Sequence, residues 1–272
     1  MNGTTGLAVI PSTTLTLGLG EGETQALKIS LIYMNRRIKF EPGKIYHVFN
    51  RGVEKRDIFL SDGDKWRFLQ GMYLFNDETA SANLLYRLEQ QKGKMHFGIL
   101  RDYVKKNDVK RKPLVRIMAD CLKPNHFHLL LEELQENGIS RFMQKLGVGY
   151  TKYFNTKYER VGPLFQGPFK AVEVEGDDQL RYLLAYINVI NPGQELEPEL
   201  KSAAQDPEEI LRFVESYPWS THLEYLGKRS SIITDKGVAG ELFATSAKYK
   251  VFVADIIRGK QRFIFQKNVL LE

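Results

Sequence analysis

Several short segments of the chain have the composition of β-strands, and the first of them also alternates apolar and polar residues as half-buried strands do. These segments are residues 44–50, 96–103, 114–121, 126–132 and 169–175. Leu122, Lys123, Pro124 and Asn125 join the third segment to the fourth, and proline and asparagine favour tight connections. We therefore expect these two strands to pair as an antiparallel hairpin.

Apolar residues at helical spacing predict helices between and after the strands. The predicted helices cover residues 62–75, 140–158, 177–190, 207–216 and 249–257. Asn191, Pro192 and Gly193 are expected to end the third of them, because proline and the residue before it disfavour helix. Strands separated by helices, with a hairpin in the middle, predict an α+β fold with an antiparallel sheet and helices packed on it.

The two ends of the chain differ from this central pattern. Residues 1–33 mix threonine, glycine and small apolar residues without a period, and we expect a disordered leader. Met34 precedes a basic run, so an alternative hypothesis is that translation starts there and residues 1–33 are not made. Residues 229–272 contain an amphipathic stretch and are predicted to form a helical C-terminal extension.

Composition and charge narrow the class of protein. One cysteine, Cys121, excludes an internal disulfide framework, and no apolar stretch is long enough to cross a bilayer. We expect a cytoplasmic protein without a membrane partner. The net charge is +6, but residues 34–170 carry 26 Lys and Arg against 15 Asp and Glu, and the segments on either side are net acidic. This asymmetry favours a polyanionic partner for the central segment.

A histidine pair lies in the fourth predicted strand. His126 and His128 are two residues apart, so both project from one face of the strand, about 7 Å from each other. Two imidazoles in this arrangement can share a divalent metal if a neighbouring element supplies a third ligand. The alternative is a pair of surface histidines on a half-buried strand. His47, in the first strand, could approach the same site, although a lone strand histidine is usually structural.

The motif around this pair and four other segments resemble one family, the IS200-like (Y1) transposases. In chain order the segments are YHVFNRGVEKRDIF, KPNHFHLLLEE, GPLFQGPFKAV, LRYLLAYINVINP and YPWSTHLEYLG. The resemblance is to the branch associated with repetitive extragenic palindromes, within the HUH endonuclease superfamily, and it defines a transposase domain at residues 34–228. It implies a ferredoxin-like or RRM-like sheet that carries the histidine pair on a central strand.

The resemblance also implies a reaction. A transposase of this family is a single-strand DNA endonuclease and strand transferase that cleaves through a 5′-phosphotyrosine intermediate. His126 and His128 would hold Mg²⁺ or Mn²⁺ against the scissile phosphate. The implied partner is single-stranded DNA with hairpin elements, and whether the protein acts as a monomer or a homodimer stays open.

The implied nucleophile is Tyr186, in a variant of the family's Tyr-Ile-x-x-Asn-Pro motif. One extra residue separates Tyr186 from Asn191 here, and residues five apart on an ideal helix diverge by about 140°. Either a helix bulge returns Asn191 to the site as the third metal ligand, or Asn188, another group or water takes that role. Tyr182, one turn earlier, is the alternative nucleophile.

Basic residues near the predicted site are candidate DNA phosphate contacts. They are Arg51, Lys55, Arg56, Lys145, Lys152 and Lys170. The extra residue before Asn191 supports a second hypothesis, a non-catalytic nucleic-acid-binding protein that retains the transposase fold. An RNA-binding RRM-like protein is a third hypothesis, but it would carry aromatic residues where this chain has histidines.

Overall fold

The computed structural model describes residues 38–78, 111–201 and 203–260. The predicted leader, the predicted strand at 96–103 and the last twelve residues of the C-terminal extension lie outside these ranges. By its internal contacts the chain divides into residues 1–39 and 40–272, and the second unit contains all the strands and helices described below.

Four strands form one antiparallel sheet in the order β2-β3-β1-β4. They are β1 (Ile45–Arg51), β2 (Val115–Lys123), β3 (His126–Glu133) and β4 (Lys170–Glu173). The first helices are α1 (Asp62–Phe75), α2 (Gly138–Lys157) and α3 (Asp177–Ala185), which leads into a π turn (Tyr186–Ile190) and then α4 (Asn191–Gly193). The later helices are α5 (Pro207–Ser216), α6 (His222–Tyr225), α7 (Gly237–Glu241) and α8 (Ser246–Ile257).

The order of elements β1-α1-β2-β3-α2-β4, with β1 and β3 central, is that of a ferredoxin-like fold. The predicted α+β class with an antiparallel sheet is therefore confirmed, and α7 and α8 lie in the predicted C-terminal extension. The predicted hairpin is β2-β3, but its turn is shorter than expected. Leu122 and Lys123 pair with β3 as strand residues, so only Pro124 and Asn125 remain in the connection.

The two faces of the sheet carry different chemistry. Phe127 projects from β3 toward α1 and α2, where its ring centroid lies 4.9 Å from that of Phe68. Tyr150 of α2 packs against Phe68 at 5.1 Å, which makes this face a continuous aromatic and aliphatic core. Side chains alternate along a strand, so His126 and His128 face the opposite side, where the π turn lies.

The third helix does not end where the sequence predicted. Asn191, Pro192 and Gly193 continue as a helical turn after the π turn. Pro192 is tolerated because it occupies the first turn of α4, where a backbone N–H is not needed. Proline does disfavour a regular α-helix at this position, but the wider π turn before it lets the chain remain helical.

The segment after α5 covers the free edge of β2, which is the outermost strand on its side of the sheet. Trp219 and Asp120 accept backbone hydrogen bonds from Leu122 and Thr221, and Asp235 donates to the carbonyl of Ile117. A covered edge cannot pair with another chain, which is how native sheets avoid aggregation.

No helix among the described residues is both long and apolar enough to span a membrane.

A buried histidine outside the sheet makes stability depend on pH. His222 in α6 is 1% exposed, its Nδ1 lies 3.0 Å from Tyr249 Oη, and burial lowers its pKa to about 4. The unfolded chain takes up this proton near pH 6.5, so acidification through this window favours unfolding. Between pH 7 and pH 4, the free energy of unfolding should fall by about 3 kcal/mol more in the wild type than in His222→Gln. Denaturant titrations at both pH values measure this, and equal losses in the two proteins would contradict it.

Candidate active site

The predicted histidine pair lies on one face of a central strand. His126 and His128 have ring centroids 5.0 Å apart, with the ring planes nearly perpendicular at 89°. In the register of the sheet, His128 is opposite Phe49 of β1 and Cys121 of β2, and cross-strand partners share a face. The strand pairing thus collects the side chains that surround the two imidazoles.

His47 of β1 contacts the pair directly. Its Nε2 lies 2.9 Å from His128 Nδ1, and the two rings stack with centroids 5.1 Å apart. Both side chains are almost fully buried. The sequence suggested a structural role for His47, and its period-two position on the face of Phe49 was the only available signal. The hydrogen bond depends on the register between β1 and β3, which the local pattern does not encode.

Asn125 holds the other histidine of the pair. Its Oδ1 lies 2.5 Å from His126 Nδ1. Because an amide oxygen only accepts hydrogen bonds, His126 Nδ1 donates, and Nε2 of the neutral ring carries the lone pair. The Asn-His dipeptide of the hairpin turn therefore fixes the tautomer of His126.

Tyr186, at the start of the π turn, packs its ring edge-on against two of these histidines. The ring centroids are 5.4 Å from His128 and 6.1 Å from His47, at interplanar angles of 89° and 75°. Tyr182 stacks on Tyr186 from one turn earlier, at 6.4 Å, and burial raises the pKa of its phenol. The structure therefore places Tyr186 against the histidines and Tyr182 behind it on the helix.

The π turn accommodates the extra residue in the tyrosine motif. The backbone N–H of Asn191 donates to the carbonyl of Tyr186, five residues earlier, which is the hydrogen bond that defines a π turn. The wider turn keeps Asn191 on the tyrosine side, where its Nδ2 lies 3.5 Å from Tyr186 Oη. Its Oδ1 accepts a hydrogen bond from Cys121 Sγ at 3.4 Å. The sequence left open whether a helix bulge accommodates the extra residue, and the structure has such a bulge at the π turn.

Asn188 lies apart from this group. Its Oδ1 accepts a hydrogen bond of 2.7 Å from Thr221 Oγ1, and its backbone carbonyl accepts one from Ser220. The side chain is fully buried against the segment that covers β2. The structure thus brings Asn191 to Tyr186 and gives Asn188 a structural contact.

Lys123, which the sequence did not single out, connects β2 to the helical turn that carries Asn191. It is opposite His126 in the register and 6% exposed. Its Nζ donates to the backbone carbonyl of Asn191 at 2.8 Å and pairs with Glu195 at 2.7 Å. Backbone carbonyls near a helix end lack intrahelical hydrogen-bond partners. The contact with Lys123 gives the Asn191 carbonyl a partner and also fixes the distance of Asn191 from β2.

The six predicted phosphate contacts fall in three places. Arg51 is opposite His126, and Lys170 is opposite Phe49 with its Nζ 6.0 Å from that ring. Both therefore lie on the face of the sheet that carries His126 and His128, which we call the histidine face. Lys55 and Arg56 are exposed in the loop after β1, where the backbone carbonyl of Lys55 accepts from Asn125 Nδ2.

The remaining two phosphate candidates lie on α2, away from the histidines. Lys145 donates to the backbone carbonyl of Asp77 at 2.6 Å, and partial burial lowers its pKa. Lys152 is exposed at the rim of a cleft that Phe165 and Pro168 also line. Lys145 is thus occupied by a structural contact, and Lys152 faces a different part of the surface from the site.

Side chains on this face of the sheet are the candidate ligands for the metal that the resemblance implies. Within the described ranges, no three His, Cys, Asp or Glu side chains are grouped closely enough to hold a metal ion. His126 and His128 offer two imidazole rings on one face of β3. An open two-histidine set fits a weakly held Mn²⁺ or Mg²⁺ that completes its coordination with water and substrate phosphate oxygens.

A solved structure and a family model are similar to this chain. A solved structure described as "Structure of the REP associates tyrosine transposase bound to a REP hairpin" aligns at 15% identity, covering 74% of this chain and 93% of that one. Its TM-score is 0.42. A search of curated proteins gave no match.

A family model matches the part of the chain that carries the histidine pair. The model described as "Transposase IS200 like" matches residues 91–189. The matched range contains His126, His128 and Tyr186, and it ends just before Asn191. The resemblance of this chain to the IS200-like transposases is therefore confirmed over the segment that carries the histidine pair and the tyrosine beside it.

Proposed function

We propose that the protein is a tyrosine transposase of the Y1 type, which cleaves and rejoins single-stranded DNA through Tyr186. The observation that carries this proposal is the packing of the Tyr186 ring against His128 and His47 on the histidine face. A phenol beside imidazoles that can hold a divalent ion is the arrangement that attack on a phosphodiester requires. The family match over this segment supports the same reaction class.

The proposed reaction is a phosphoryl transfer with tyrosine as nucleophile. Tyr186 Oη forms a bond to the scissile phosphorus, and the bond from phosphorus to the 3′ oxygen of the preceding nucleotide breaks. The phenol proton passes to water, and the departing 3′ oxygen takes up a proton from water. The products are a 5′-phosphotyrosine link and a free 3′-OH, which can attack the link in reverse and so join strands without a nucleotide cofactor.

A tyrosine phenol has a pKa near 10 and is a weak nucleophile until it loses its proton. Asn191 Nδ2, 3.5 Å from Tyr186 Oη, points a donor toward the oxygen that becomes negative. In a buried site such a donor favours the phenolate. Asn191 is thus proposed to stabilise the phenolate of Tyr186. Lys123 and Cys121 hold Asn191 in place.

His126 and His128 would hold the divalent ion, Mn²⁺ or Mg²⁺. When bound, such an ion polarises the phosphoryl oxygens and offsets the charge that develops on them during transfer. The histidines themselves supply orientation, because both lie on one rigid strand and His126 is fixed by Asn125. Arg51 and Lys170, at the same face, are proposed to bind the flanking phosphates, and Lys55 and Arg56 extend this basic strip.

The burial of Tyr186 favours a second candidate function. Its side chain is only 3% exposed, so a phosphodiester reaches its hydroxyl only after a local opening. A protein in which that opening does not occur would bind hairpin DNA on its basic strip and leave the strand intact. This is the non-catalytic nucleic-acid-binding protein that retains the transposase fold.

A labelled-strand experiment separates the two functions. The full chain is incubated with single strands that contain hairpins, labelled at either the 5′ or the 3′ end, in Mn²⁺ or Mg²⁺, and resolved on a denaturing gel. We expect 3′-labelled strands to migrate as a protein adduct and 5′-labelled strands to yield a shorter free product. Hairpin binding without any adduct would replace the proposal with the binding function, and an adduct on the 5′ label would reverse its polarity.

A further inference from the structure

We propose that His47 is a positioning residue that accepts the Nδ1 proton of His128 and thereby keeps the lone pair of His128 on Nε2. The consequence for metal binding rests on the proposed function, whereas the tautomer itself does not. The starting point is the 2.9 Å separation between His47 Nε2 and His128 Nδ1. Nothing in the sequence motif around the histidine pair assigns this role to a residue of β1.

A hydrogen bond between two neutral imidazoles has two arrangements. In one, His128 Nδ1 donates to His47 Nε2, and His128 Nε2 carries a lone pair. In the other, His47 Nε2 donates, and His128 must then carry its proton on Nε2. Only the first arrangement lets His128 act as a ligand through Nε2, because a protonated ring nitrogen cannot bind a metal.

His126 makes the corresponding hydrogen bond through its own Nδ1, with Asn125 as the acceptor. Asn125 Oδ1 accepts from His126 Nδ1 at 2.5 Å, which leaves the lone pair of His126 on Nε2. If His47 accepts from His128 in the same way, both histidines present the same nitrogen. Outer hydrogen-bond partners of this kind set the tautomer and orientation of metal-binding histidines generally.

The position of His47 is rigid enough for this role. β1 is a central strand, and His47 is opposite Leu130 of β3 and Val172 of β4, so its backbone is paired on both sides. Its ring also contacts Phe49 at 5.1 Å. An acceptor held by a central strand and aromatic packing loses little conformational freedom when it forms the bond.

Nitrogen-15 NMR of the histidine rings tests the tautomer directly, without DNA or activity. The full chain has five histidines, and the His128 signals are identified by their loss in His128→Gln. In metal-free wild type we expect His128 to be protonated on Nδ1 and unprotonated on Nε2. A His128 ring protonated on Nε2 would overturn the proposal, whether or not the protein binds metal or cleaves DNA.

Two substitutions of His47 then test the consequence by titration with Mn²⁺ alone. His47→Phe keeps a ring but removes the acceptor, and we expect its Mn²⁺ affinity to fall about tenfold or more. His47→Gln retains an acceptor oxygen and should keep most of the affinity. His222→Gln, which changes a buried histidine far along the chain from the site, is the matched control and should bind Mn²⁺ as the wild type does.

The outcomes distinguish this inference from the proposed function. If wild type binds Mn²⁺ and forms the DNA adduct while His47→Phe binds Mn²⁺ equally well, the positioning role is overturned and the proposed function stands. If wild type binds no Mn²⁺ and forms no adduct, the proposed function fails, and the NMR tautomer alone decides the role of His47. Far-ultraviolet circular dichroism of each variant verifies that the fold is retained.

Discussion

Tyr186→Phe is expected to form no covalent adduct with hairpin-containing single strands under conditions in which the wild type does. The substitution removes only the hydroxyl, so the edge-on packing of the ring against His128 and His47 remains. No other group at this position can form the phosphotyrosine bond. The loss should therefore be complete on a denaturing gel, while hairpin binding in a mobility-shift assay stays near the wild-type level.

Tyr182→Phe is the matched control for this prediction. Tyr182 is on the same helix, is also buried and stacks on Tyr186 at 6.4 Å. Burial raises the pKa of its phenol, and the ring that packs edge-on against His128 and His47 is that of Tyr186. We expect Tyr182→Phe to form the adduct. Loss of the adduct only in Tyr182→Phe would move the nucleophile one turn back along the helix and contradict our assignment.

Alanine at His126 or His128 is expected to lower the rate of adduct formation by about 10³-fold in Mn²⁺ or Mg²⁺. Each substitution removes one of the two imidazoles that would hold the ion, and electrostatic stabilisation of a transferring phosphoryl group accounts for several kcal/mol of the barrier. The rate is measured in single-turnover assays with excess protein. The Kd for the hairpin should change little, because Arg51, Lys170, Lys55 and Arg56 remain.

The control for the histidine variants is His222→Gln, which alters a buried histidine that contacts Tyr249 in the C-terminal helices. It should form the adduct at the wild-type rate. If the His126→Ala and His128→Ala proteins also form the adduct at that rate, the histidine pair has no part in the chemistry. Full adduct formation by wild type in excess chelator would contradict the divalent-metal assignment independently.

Elements that depend on local pattern were predictable from the sequence. Runs of β-forming residues at 114–121 and 126–132 identified the β2-β3 hairpin, and the two-residue period of a strand placed His126 and His128 on one face. Helical spacing identified α1, α2 and α5 closely. Pattern alone placed the hairpin turn and the end of the third helix incorrectly by a few residues, because cross-strand pairing and the π turn extend both elements.

The site was only partly predictable for the same reason. The strand pattern named His126 and His128, and the resemblance to the IS200-like transposases named Tyr186 and Asn191 and the extra residue between them. Neither showed whether a bulge accommodates that residue or another ligand replaces Asn191. The π turn does so here because Lys123 and Cys121 hold Asn191 from β2, a strand some seventy residues away in sequence.

The chain's own pattern was therefore sufficient for the fold class, the histidine face and the tyrosine helix, since a period of two or 3.6 residues is a local property. The contact of His47 with His128, the separation of Asn188 from Asn191 and the burial of Lys123 arise from strand register and from packing between distant segments. Register and packing are set by the free energy of the whole assembled core, so no window of the sequence contains them.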